Sequence, residues 1–253
     1  MRPDSPFYLQ SFEVLKKSAL FSRLDEDVLR KMFLIFRHQE WEKKQVVMEP
    51  AQTAEQFFVL VTGRVKVVRT NPATGREFTL FLFGSGDCFD VVSLLDGKKH
   101  DVYVVAMDDL SVLSAPIDTV RDWINKHPEF NRSFLPCLGK QMRVLTELAS
   151  DVALHDTEIR LAKLILRHID HEYNEDNDNV PSRLKLIKDL SHEELAGMIG
   201  SARAVVNRHL QKLKQEGIMI AHRGYLEIKD LHALIRKIEE HLHFNKDKNN
   251  EKG

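Results

Sequence analysis

The sequence predicts an α+β fold: a β-rich amino-terminal domain, a long helix, and a small helical domain that ends in a β-hairpin. Three observations predict it. From about Trp41 to Ile117 the chain reads as short β segments bounded by Gly, Asp, Asn or Pro. After Pro128 a narrow apolar stripe at helical spacing takes over. Near the carboxyl end two helical segments flank a glycine turn and precede a second pair of strands. The expected domains are residues 1–127, 128–155 and 156–240, followed by a charged tail, 241–253, expected to be disordered.

The composition sets outer bounds. The chain has 253 residues, 43% of them hydrophobic and 30% charged, which suits an ordinary globular protein with ample core material. A net charge of -1 excludes binding nucleic acid by bulk positive charge and leaves only a local basic patch. The two cysteines, Cys88 and Cys137, fit a reducing compartment and are too few for an iron–sulfur cluster or a zinc site of four thiolates. The amino terminus shows no signal-peptide pattern, and no apolar run reaches the ~20 residues that cross a bilayer. The expectation is a cytoplasmic protein with no membrane partner.

Taken in order, "LKKSALFSRLDEDVLRKMFLIF" has helical spacing, with Leu24, Val28 and Met32 on one side. "QFFVLVTGRVKVVRT", "GREFTLFLFGSGDCF", "DVYVVAM" and "LSVLSAP" then follow as strands, a spacing that indicates a sandwich or barrel. In "FNRSFLPCLGKQMRVLTELASDVAL", Leu138, Leu145 and Val152 recur at heptad spacing, with Met142 and Ala149 on the neighbouring line. A stripe that narrow predicts a two-helix seam, although a helix lying on the β domain has the same spacing. Pro136 and Gly139 weaken its first turns, so the firm helix is expected to begin near Lys140. Asp156 reads as the N-cap of the next helix, and "NEDNDNVPSR" as a polar connection.

The chemistry sits in "LSHEELAGMIGSARAVVNRHLQKLKQEG". Ser191 followed by Glu194 is a capping-box pattern that starts a helix, and Gly200 ends it. A second helix begins near Ser201 or Ala202, giving a helix-turn-helix whose second helix can enter a DNA major groove. On its wheel Val206, Leu210 and Leu213 form the buried stripe. Ala204, Asn207, Arg208 and Gln211 fall opposite, with Arg203 at the edge. Arg can bond guanine bidentately, Asn can do so with adenine, and Gln or Lys can reach phosphate. The candidate DNA-contacting set is Ser191, Ser201, Arg203, Ala204, Asn207, Arg208 and Gln211. A hairpin around Arg223-Gly224 follows.

These residues resemble the winged helix-turn-helix of the Crp–Fnr family of bacterial transcription regulators. Upstream, "AEQFFVLVTGRVKVVRTNPATGREFTLFLFGSGDCF" resembles that family's double-stranded β-roll of cyclic-nucleotide-binding type, and the seam helix resembles its dimerisation helix. The likeness spans about Phe12 to Leu234. It implies a homodimer on a two-fold pseudo-palindromic DNA operator, with the seam at Leu138, Met142, Leu145, Ala149 and Val152. It implies RNA polymerase as a further partner if the protein activates. By position Arg203 and Arg208 match arginines of the family's recognition helix. The usual glutamate between them is Ala204, which implies a divergent half-site.

The resemblance also locates an effector pocket at Phe89, Asp90, His100, Asp101, Leu145 and Thr146. Members that bind cyclic AMP carry a Gly-Glu pair and an Arg-Ser or Arg-Thr pair, where this chain has Phe89-Asp90 and His100-Asp101. Phe89 fills space that glycine leaves open, and Asp101 repels a phosphate, so cyclic AMP is disfavoured. Haem is left open as an input through Cys88, His100, Met107 or His127. The carbon-monoxide sensor's ligand positions, however, read here as Asp90 and Val92. A hydrophobic ligand, thiol redox chemistry or no ligand also stay open, and no metal role is assigned. Neither a phosphate-binding glycine loop, a metal-spaced His/Glu pair nor a nucleophile elbow is present, so an enzyme is not expected. The rival reading is a cyclic-nucleotide-binding module that regulates a protein partner.

Overall fold

The computed structural model describes residues 6–169, 184, 187, 189–222 and 225–250. The chain divides into two compact units, Met1–Thr146 and Glu147–Gly253.

The first unit opens with α1 (Tyr8–Lys17) and α2 (Glu26–Phe33). The buried face of α2 is Leu29, Met32 and Phe33, while Val28 is half-exposed and Leu24 precedes the helix. Of the expected Leu24–Val28–Met32 line only Met32 is fully buried, because packing against the helix-side core selects Leu29 and Phe33 beside it. Next come β1 (Arg37–Trp41), β2 (Val46–Met48), β3 (Gln56–Thr62), β4 (Val65–Thr70), β5 (Glu77–Phe83) and β6 (Cys88–Phe89). After α3 (Val91–Asp96), β7 (Tyr103–Ala106) and β8 (Leu110–Pro116) complete the sheets, and α4 (Ile117–Lys126) follows.

The strands form two four-stranded antiparallel sheets in the orders β1-β8-β3-β6 and β2-β7-β4-β5, the β-roll that the family resemblance implies. Alternation along β3 explains how one sheet serves two cores. Phe58 and Leu60 point into the roll beside Val67, Phe89, Val104 and Val112. Phe57, Val59 and Val61 point the other way, against α1, α2, α4 and Phe130. With both faces covered, "FFVLV" is buried at five consecutive positions. Gly63 turns β3 into β4 at φ +84°, where an added Cβ would lie 2.6 Å from Leu110 and 2.7 Å from the Asp109 carbonyl.

The long helix α5 (Asn131–Leu154) is continuous from Asn131 and carries Pro136 inside it. The expected start near Lys140 is too late. Phe130 and Phe134 are buried in the helix-side core and Leu138 packs against it, and this burial offsets the hydrogen bond that Pro136 cannot donate.

The second unit contains α6 (Thr157–Arg167), α7 (His192–Ile199), α8 (Arg203–Gln215), the antiparallel pair β9 (Met219–His222) and β10 (Tyr225–Ile228), and α9 (Leu231–Asn250). The polar connection expected at "NEDNDNVPSR" and the Arg223-Gly224 turn fall on positions outside the described residues. Where the sequence predicts a disordered tail from residue 241, the backbone stays helical through Asn250. Asp230 accepts from the Ala233 N–H at 2.8 Å, and Leu234 and Ile238 bury the first turns, so the helix is nucleated by packing before the charged stretch begins. Among the described residues no helix is long and apolar enough to cross a membrane.

Candidate functional site

The α7–α8 pair is built as its sequence dictates. The Ser191 Oγ accepts from the Glu194 N–H at 3.2 Å, and the Glu194 carboxylate accepts from the Ser191 N–H at 2.7 Å. This reciprocal cap satisfies two helix-end donors. Leu195, Ala196, Met198 and Ile199 are buried, and Gly200 turns the chain in the left-handed region at φ 61°. The Ser201 N–H then closes on the Ala196 carbonyl at 2.9 Å, and α8 starts one residue past Ala202.

On α8, Val206, Leu210 and Leu213 are buried to 2% exposure or less, as their spacing predicts. Arg203, Ala204, Asn207, Arg208 and Gln211 are all exposed, and Ser201 is half-buried beside them. Among the described residues no ion pair holds Arg203 or Arg208. Burial, then the charges of Lys214 and Arg203, lower the pKa of His192 in the first turn of α7. The first turn of α7 itself carries Glu193 and Glu194, so the positive charge of this helix pair comes from α8.

One residue of this helix escapes a reading of the sequence alone. His209 is buried on the same side as Val206 and Leu213. Its Nε2 lies 3.0 Å from the Thr157 hydroxyl and its Nδ1 3.7 Å from Glu158. Burial lowers its pKa, against the pull of Glu158. Glu158 also pairs with Lys212 of α8 at 2.9 Å and Lys237 of α9 at 2.8 Å. One carboxylate therefore ties three helices together. The signal lies in the spacing, since position 209 falls at the edge of the buried arc, next to Leu213.

At the junction before α6, the Asp156 side chain accepts from the Glu158 and Ile159 N–H groups, both at 3.0 Å, as the expected N-cap. Asp151, buried on the last turn but one of α5, pairs with Lys163 at 2.5 Å and with Arg167 at 2.6 Å on α6. On α5 itself Met142, Leu145 and Val152 are 69%, 37% and 45% exposed, and Ala149 is exposed between them. Leu138 differs from the rest of this stripe because it is half-buried against the helix-side core.

In the β-roll, the Phe89 ring stacks on Phe58 with centroids 4.6 Å apart, inside the roll. Asp90 adopts the left-handed conformation at φ 61°, which Asp tolerates better than most residues. Its buried carboxylate accepts from the Ala54 N–H at 2.9 Å and lies 2.9 Å from His100 Nε2. The His100 N–H in turn donates to the Thr53 hydroxyl at 3.0 Å. Asp101 is exposed, and its carbonyl accepts from Arg69 Nε at 3.1 Å. The structure brings Phe89, Asp90 and His100 together. Leu145 and Thr146 are exposed on α5, where the Thr146 hydroxyl donates to the Met142 carbonyl of its own helix at 2.9 Å.

Comparison with known proteins agrees with this architecture domain by domain. The family model for a cyclic nucleotide-binding domain matches residues 38–127, and that for a Crp-like helix-turn-helix domain matches residues 159–237. The global nitrogen regulator of Nostoc sp. is 32% identical over 194 residues, 75% of this chain and 84% of that protein. The CRP-like cAMP-activated global transcriptional regulator of Mycobacterium tuberculosis is 23% identical over 227 residues, 90% of this chain and 96% of its own. Among solved structures, a CooA mutant from Carboxydothermus hydrogenoformans shares the fold, with a TM-score of 0.69 at 24% identity over 82% of this chain and 90% of that one. A β-roll and a helix-turn-helix in that order, together with a relative at this level of identity, place the chain in the Crp–Fnr family as a Crp-like DNA-binding transcription regulator, and not an enzyme.

Proposed function

We propose that the protein acts as a homodimer that reads a two-fold pseudo-palindromic operator, with α8 of each copy in the major groove and half-sites about one helical turn apart. The observation that carries this reading is the division of α8 into a buried side and an exposed side. On the exposed side Arg203, Asn207 and Arg208 have no competing ion pair among the described residues. Arg203 and Arg208 take guanine edges, Asn207 takes adenine, and Gln211, Ser191 before α7 and Ser201 after it take backbone phosphates. Ala204 meets a thymine methyl, so the half-site differs from that of relatives with a glutamate there. The dimer seam is the exposed apolar stripe Met142, Leu145, Ala149 and Val152, with Leu138 at its inner end. Where the operator position allows activation, RNA polymerase is the further partner.

In this reading cyclic AMP is disfavoured as the effector. A cyclic phosphate needs an open, positively charged cradle. Here Phe89 fills the interior, the Asp90 carboxylate is buried against His100, and Asp101 adds a negative charge. The candidate haem ligands have other engagements. Cys88 and Met107 are buried, His100 faces Asp90, and His127 stacks on Trp123 and contacts Glu129 at 3.0 Å. These engagements favour a regulator whose roll responds to something other than a cyclic nucleotide.

The test is binding of the purified full-length chain to a duplex selected from a randomised pool. Binding through α8 predicts an affinity that falls steeply with salt and a selected site with two inverted halves. A selected sequence without two-fold symmetry, or binding indifferent to salt, overturns the reading.

A further inference from the structure

The chain holds only two cysteines, far apart in sequence, and the fold brings them to one place. Cys88 is the first residue of β6, paired with Val59 of β3 and buried. Cys137 lies near the start of α5, half-exposed, and packs against the same helix-side core that contains Cys88. The two thiols interact directly. The hydrogen bond from Cys88, helped by Lys140, brings the Cys137 thiol down to about 7, while the same contact and burial push Cys88 well up. Cys137 is therefore the half-exposed and more acidic thiol of the pair, and Cys88 is the buried one. This is the arrangement of an attacking and a resolving cysteine.

The backbone around Cys137 is also suited to movement. Pro136 cannot donate a helix hydrogen bond, and Gly139 weakens the next turn. An added Cβ at Gly139 would meet nothing closer than the Arg143 guanidinium at 3.9 Å, so packing does not require this glycine.

We propose that Cys88 and Cys137 form a reversible intrachain disulfide in response to peroxide, and that this bond weakens DNA binding by drawing the first turns of α5 onto β6. The second half rests on the reading of α5 as the dimer seam, because Leu138 neighbours Cys137 at the inner end of that stripe. In the chemical step the Cys137 thiolate attacks one peroxide oxygen. The O–O bond breaks, hydroxide leaves and takes up a proton to form water, and Cys137 becomes a sulfenic acid. The Cys88 sulfur then attacks the Cys137 sulfur, the S–O bond breaks, and the departing hydroxide takes the Cys88 proton as a second water. Two thiols lose two electrons and two protons, and hydrogen peroxide is reduced to two waters. A dithiol reductant reverses the bond by exchange.

The experiment treats the reduced full-length protein with hydrogen peroxide and reads mass, thiol count and affinity for the duplex that the reduced protein selects. The expected result is a mass lower by two hydrogens, both thiols blocked, single-chain mobility without reductant, and affinity lower by about tenfold, restored by dithiothreitol. Cys137→Ser should bind the duplex as the reduced protein does and ignore peroxide. Gly139→Ala keeps both thiols, stiffens the turn and should close the bond more slowly. Added oxygen in place of lost hydrogen, an interchain disulfide, or a closed bond with unchanged affinity overturns the proposal. Sedimentation of the reduced protein separates the two readings, because a monomer there fails the seam while the mass measurement still reports the thiol chemistry.

Discussion

Arg203 begins a helix whose first turn contains no acidic residue, and its side chain stands exposed with no ion partner among the described residues. Replacing it with alanine therefore removes little from the fold, and in the proposed reading it removes a base contact. Arg203→Ala should cost ~1–3 kcal/mol of specific binding and relax preference at one base position. Competition between the selected duplex and single-base variants measures this, and an equal loss on random DNA would remove Arg203 from base reading. His168, just past α6, has the opposite character. Burial, then the charge of the neighbouring Arg167, hold its pKa down at about 4. Above pH 6.5 both folded and unfolded chains carry it neutral. As pH falls from 6.5 towards 4, the unfolded chain takes a proton that the folded one refuses, and stability is lost over that window by about 3 kcal/mol. Melting curves across this range should show the slope, and His168→Gln should flatten it. At this scale the exposed side of α8 was legible, because helical spacing alone puts Ala204, Asn207 and Arg208 opposite Val206. His209 was not, since a titratable side chain on an apolar arc reads as polar until Thr157 and Glu158 appear beside it.

Among the elements, α5 carries the proposed dimer seam. Its exposed apolar residues are costly in water unless a second surface covers them. Leu145→Asp places a charge in the middle of that stripe and should shift the protein from dimer to monomer in sedimentation, with operator binding lost in parallel. Dimer and binding both unchanged would take the seam out of the mechanism. Asp151 makes a separate demand on the same helix. Asp151→Asn leaves Lys163 and Arg167 without their carboxylate and should cost about 1–3 kcal/mol in denaturant unfolding, discounted because both cations are partly exposed. The elements also show where local rules fail. Pro136 and Gly139 argue for a late start to α5, yet Phe130, Phe134 and Leu138 bury enough surface to carry the helix back to Asn131. The α7–α8 pair was readable because its caps are local: Ser191, Glu194 and Gly200 lie within one short stretch. The register of α2 was less so, because tertiary burial selects Leu29 and Phe33 over Leu24 and Val28.

For the whole molecule, the order β-roll, long helix, helix-turn-helix was legible because strand texture, heptad spacing and the capped turn belong to separate stretches. What sequence did not reveal was convergence across distance. The meeting of Asp90 with His100, of Cys88 with Cys137, and of Glu158 with two distant lysines depends on how strands and helices close on each other. The strand β3 carries this closure within the roll, and its burial on both faces bears on how the protein can vary. An ordinary surface strand gives alternate positions to water, so half of them drift freely under selection. Here five neighbours in a row, Phe57 to Val61, have an interior to fill. A complete substitution scan read out by abundance should show polar replacements rejected at every one of those positions, whereas β1, with its exposed Arg37, Gln39 and Glu40, should accept them. Lineages of this protein are then expected to diversify at the rim of the roll and on α8, with that short central run left nearly unchanged.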